Sequence, residues 1–89
     1  MSHPQSQLHA AMEEARRARQ KKSEAAEILR ARQDEYKTAN LRGRQKQITR
    51  ARAAVEAAQA VYEAAERHVQ RLDDKAEEVI QAQIRAAYM

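Results

Sequence analysis

The side chains in this sequence that could do chemistry are few. Asp73 with Glu77 and Asp74 with Glu78 stand four residues apart, so on a helix each pair faces one side, where a divalent ion could bridge two carboxylates. A solvated acidic face explains the same spacing with less. A di-iron site inside a bundle needs Glu-x-x-His elements, and Glu63, Glu66 and His68 do not provide them. His3 would sit third from a free amino terminus, as copper capture there requires. Loss of Met1 ahead of the small Ser2 would move it to second place and abolish that motif. The serines are Ser2, Ser6 and Ser23, none beside a plausible base and orienting acid, and there is no cysteine. The expectation is a chain that is not an enzyme and takes no cofactor, metal or small-molecule substrate.

Cations carry more information. Lys37, Arg42, Arg44, Lys46, Arg50 and Arg52 follow one another with no acidic residue between them. Six positive charges against a whole-chain net of +4 leave −2 for everything else, so the basicity is local. Such a cluster can neutralise phosphates and release their counterions, or meet an acidic protein surface. Aromatic stacking residues are scarce, with three Tyr and no Phe or Trp, which weakens the nucleic-acid reading. Arg16, Arg17, Arg19, Lys21 and Lys22 form a second cluster, expected to pair with Glu63 and Glu66 on a neighbouring helix.

The elements that must position these groups are helices. From Leu8, small or apolar residues alternate at three and four: Leu8, Ala11, Ala15, Ala18, Lys22, Ala25, Leu29, Arg32, Tyr36 and Ala39, with two cations among them. A second register runs Ile48, Ala51, Val55, Ala58, Tyr62, Ala65, Val69, Leu72, Ala76, Val79, Gln83 and Ala86. Tyr36 to Ile48 is 12 residues, which neither a continuous heptad nor a four-residue stutter supplies. Asn40 and the only glycine, Gly43, lie in that gap, and both residue types readily end helices. The spacing therefore predicts one all-α domain over residues 1–89. It is a hairpin of two long antiparallel helices with an alanine-rich, coiled-coil-like seam: helix one over about 5–40, a turn at about 40–46, helix two over about 47–88. A single continuous helix dimerising in parallel is the rival arrangement.

Folding back pairs residues whose numbers sum to about 84, which sets Leu29 against Val55, Leu8 against Ala76 and Lys22 against Tyr62. Helix two then overhangs. Val79, Ile80, Ile84, Tyr88 and Met89 would form an apolar strip without an intramolecular partner, and such strips mark interaction surfaces. Val61, Val79, Ile80 and Ile84 together are expected to let two hairpins build a homodimeric four-helix assembly.

Composition agrees that the chain binds something. A small chain whose apolar content is largely alanine buries little, since each methyl contributes only about 0.8 kcal/mol, and without cysteine it has no disulfide support. No stretch of 18 apolar residues exists to span a membrane, and the amino terminus lacks a signal-like apolar run, so a cytoplasmic location is expected. The leading expectation is a non-catalytic adaptor, assembly factor or inhibitor that binds a protein partner through its helical faces and the C-terminal strip. A nucleic-acid-binding hairpin using the basic tip is the alternative. An engineered scaffold is a minor third, disfavoured because a designer would fill positions 22 and 32 with apolar residues.

Overall fold

The computed structural model describes residues 4–88 of the chain, folded as two helices, α1 over Pro4–Arg42 and α2 over Gln45–Tyr88. They pack antiparallel along their length into a rod of 67 × 18 × 16 Å. A straight helix of 44 residues is about 66 Å long at 1.5 Å per residue, so α2 alone spans the molecule.

The reversal takes two residues. Gly43 adopts φ +72°, in the left-handed region, and its N–H donates to the Ala39 carbonyl at 3.1 Å, closing α1 with a left-handed cap. Arg44 follows, and its carbonyl accepts from the Ile48 N–H at 2.9 Å, opening α2. The turn is tighter than the predicted 40–46, because both helices continue to the edge of the glycine and Asn40 remains helical. Arg42 and Gln45 flank it, and their numbers sum to 87, not to about 84. The pairing therefore slips by nearly one helical turn. Lys22 reaches Glu66 in place of a position directly over Tyr62, and Gln7 and Val79 line one groove.

A slip of one turn keeps the same face inward, so the predicted seams survive it. Every seam position from Leu8 to Ala39 except Arg32 is buried or half-buried, as is every one from Ile48 to Val79. Gln83 and Ala86, past the reach of α1, are exposed. The deepest residues are Ala15, Ala18, Ala25, Ala39, Ala58 and Val69, and among the described residues no large side chain is fully enclosed. Methyl-sized knobs let the helices meet but withdraw little apolar surface from water.

The glycine cap can be tested by substitution. A Cβ at position 43 would touch nothing within 4 Å, so any cost comes from the backbone conformation alone. Gly43→Ala is expected to lower stability by about 1–2 kcal/mol in urea unfolding, and Gly43→Asn by less, since asparagine tolerates the left-handed region.

Candidate interaction surfaces

The turn gathers all six predicted cations at the closed end, and all are exposed. Among the described residues, Lys37, Arg42, Arg44, Lys46 and Arg50 make no ion pair. Arg52 is held: its Nη2 donates to the Tyr36 hydroxyl at 3.3 Å, and its guanidinium carbon lies 5.9 Å from the ring centre. Tyr36 and Arg52 come from opposite helices, so this contact clasps the hairpin just below the turn. Leu41, 89% exposed, stands among the cations. Sequence reasoning passed over it because it falls outside the seam, and its position away from the seam is the signal that it must face water.

The second cationic cluster pairs differently from the expectation. Lys22 Nζ lies 3.9 Å from Glu66, as anticipated, but Arg19 reaches Asp73, and Arg16 turns to Glu13 on its own helix at 2.9 Å. Glu63 instead accepts from Gln59. The register slip is the physical reason, since it carries the acidic stretch of α2 toward the turn, from the level of residue 11 to that of residue 14, within reach of Arg19. These pairs are largely exposed, and each contributes about 0–1 kcal/mol.

At the open end the structure divides the proposed apolar strip. Val79 belongs to the seam and is half-buried beside Leu72, Ala11 and Gln7. Ile80, Ile84 and Tyr88, at four-residue spacing on one side of α2, are exposed, Tyr88 at 88%. Met89 lies outside the described residues. The longer register leaves only the last turn of α2 beyond Pro4, so the overhang is shorter than predicted.

Val61 does not join this strip. Helical geometry sets it roughly 100° from Ile80 and 140° from Ile84, and it lines a groove of about 320 Å³ with Ile28, Ala25, Ala54, Ala57, Ala58 and Arg32. Ile28 and Val61 are 53% and 60% exposed at its rims. The expected dimer face combining Val61 with Ile80 and Ile84 is therefore two separate flanks of the rod. Ile28 was missed as a surface residue.

Among the described residues no cluster of three His, Cys, Asp or Glu could hold a metal, and no helix is long and apolar enough to cross a membrane. Three of the four carboxylates in the acidic i, i+4 groups are already engaged: Asp73 by Arg19 of the other helix, Asp74 by Gln70 and Glu77 by Gln81. His3 lies outside the described residues. No family model, curated protein or solved structure matches the chain.

The clasp leaves a titration signature. Hydrogen bonds from Asn40 and then Arg52 stabilise the Tyr36 phenolate and hold its pKa below the usual tyrosine value, while the same contact raises that of Arg52. Ultraviolet titration should show the Tyr36 phenolate appearing at lower pH in the native chain than in Arg52→Ala.

Proposed function

We propose that this protein is a non-catalytic binding module, a small adaptor, assembly factor or inhibitor, that engages a protein partner through its helical faces. One observation carries the reading. The hairpin exposes 7367 Å², whereas a folded monomer of its 10.2 kDa exposes about 5,300 Å² by the usual scaling. A standard protein–protein interface removes about 800 Å² from each partner, so a surplus of roughly 2,000 Å² on one chain is more than one such interface would cover. A rod of alanine-lined helices offers faces to cover, not a cavity that excludes water from a reaction.

Within this reading the open end is the first contact surface. Ile80, Ile84 and Tyr88 present apolar side chains on the side of α2 turned away from the seam, Ile84 and Tyr88 beyond the end of α1, in the pattern by which a helix enters a partner's groove. Affinity capture with the intact chain as bait should enrich a protein that Ile80→Gln/Ile84→Gln fails to retain. Equal enrichment by both baits would remove the strip from the account.

The five tip cations without carboxylate partners favour a second reading, in which the closed end binds nucleic acid. That reading predicts a duplex-DNA gel shift at low salt, weakened steeply by added salt and abolished by Arg42→Glu/Arg44→Glu/Lys46→Glu. Absence of a shift at low salt rules it out.

A further inference from the structure

One stripe of α1 has a symmetry that the hairpin itself does not use. Glu14, Lys21, Ile28, Glu35 and Arg42 recur every seven residues, a spacing that returns to within about 20° of the same face, and all five are exposed. Their charges read minus, plus, neutral, minus, plus. Reversed, the order becomes plus, minus, neutral, plus, minus, so the stripe is complementary to its own antiparallel copy. Laid antiparallel about Ile28, Glu14 meets Arg42 of the second copy, Lys21 meets Glu35, and Ile28 meets Ile28. In parallel, every charge would face its like.

We infer that this flank docks a second copy of the chain, forming an antiparallel two-fold dimer whose axis passes beside Ile28 and Val61. A two-fold interface must be self-complementary in this way, each contact occurring twice. The apolar groove of Ile28, Ala54, Ala57 and Val61 lies at that axis, where a dry centre belongs. On α2 the same alignment pairs residues whose numbers sum to about 118, which puts Arg44 within about one helical turn of Glu78 of the other copy; it also puts Arg50 within a turn of Arg71, a like-charge contact that the opposite-sign pairs outnumber.

The opposite flank is spent. Arg19–Asp73 and Lys22–Glu66 already close its charges across the hairpin, whereas on this flank Glu14, Lys21, Arg42 and Glu78 have no ion pair among the described residues, and Glu35 is held only by Arg32 on its own helix at 2.9 Å, a local pair that the contact with Lys21 of the second copy would share or replace. Geometry also allows the area. The axis lies about 15 residues from the turn, so two copies overlap over about 45 Å. Across a width of 18 Å this gives about 800 Å² per copy, the size of a standard specific interface. The arrangement sends the two basic tips to opposite ends and leaves Ile80, Ile84 and Tyr88 open. It is thus independent of the partner surface proposed above.

Sedimentation equilibrium at tens of micromolar tests it. The intact chain should run as a dimer, and Ile28→Lys should weaken self-association by about tenfold or more while circular dichroism reports an unchanged helix content, because an exposed side chain does not hold the hairpin. Glu14→Arg should weaken the dimer, and adding Arg42→Glu should restore it. In a chain without native cysteine, Ile28→Cys should cross-link two copies readily and Arg44→Cys should not. A monomeric intact chain, a double variant no stronger than Glu14→Arg, or efficient cross-linking at position 44 would each overturn the antiparallel dimer.

Discussion

Two faces lined with methyl groups gain almost nothing unless they lie against each other along their whole length, and one chain can arrange that only by reversing direction. Gly43 makes the reversal at φ +72°, and the rest of the molecule follows from it. Because the turn costs just two residues, α1 and α2 begin and end nearly level. Ala15, Ala18, Ala25, Ala39 and Ala58 then settle at the interface, and six cations collect around the bend. Remove the reversal, and the seam, the basic tip and the flank stripes lose their relation to one another.

The same constraint sets the energetics. An alanine seam allows close approach but contributes little per residue, so stability is spread over ten helical turns with no concentrated core. Exposed ion pairs add specificity of alignment more than free energy. A fold of this kind keeps most of its side chains at the surface, as the proposed binding role requires. The two ends differ in kind, cationic at the turn and apolar at the open end. The two flanks differ as well, one closed by ion pairs between the helices and the other carrying an apolar groove whose charges make no pair across the hairpin.

Much of this was legible in the residues. Three-four periodicity identifies which side of each helix faces inward, and it did so even at Lys22, whose stem covers the seam while its ammonium reaches Glu66. Periodicity does not set the register. A pairing offset of three residues buries the same faces, so only the length of the turn decides between them, and the estimate of about seven turn residues misplaced Val79 and the ion partners of Arg19 and Arg16. The grouping of Val61 with Ile80 failed for a related reason. Both flank the seam, but on opposite sides, and a list of apolar positions carries no sign for left and right. Arg32, the one seam position left exposed in α1, bonds Glu35 on its own helix at 2.9 Å, the local alternative open to a cation at a junction of small residues.

The direction reversal itself can be measured. Spin labels at positions 20 and 67, both on outward faces, sit at the same level of the hairpin, and dilution with unlabelled chain restricts the signal to pairs within one molecule. Two packed helices with labels on their outward faces require a separation of about 30 Å or less. A single sharp distribution there is the predicted result. A distance near 70 Å, the length of 47 residues of unbroken helix, would contradict the hairpin and with it the tip, the seam and the flank.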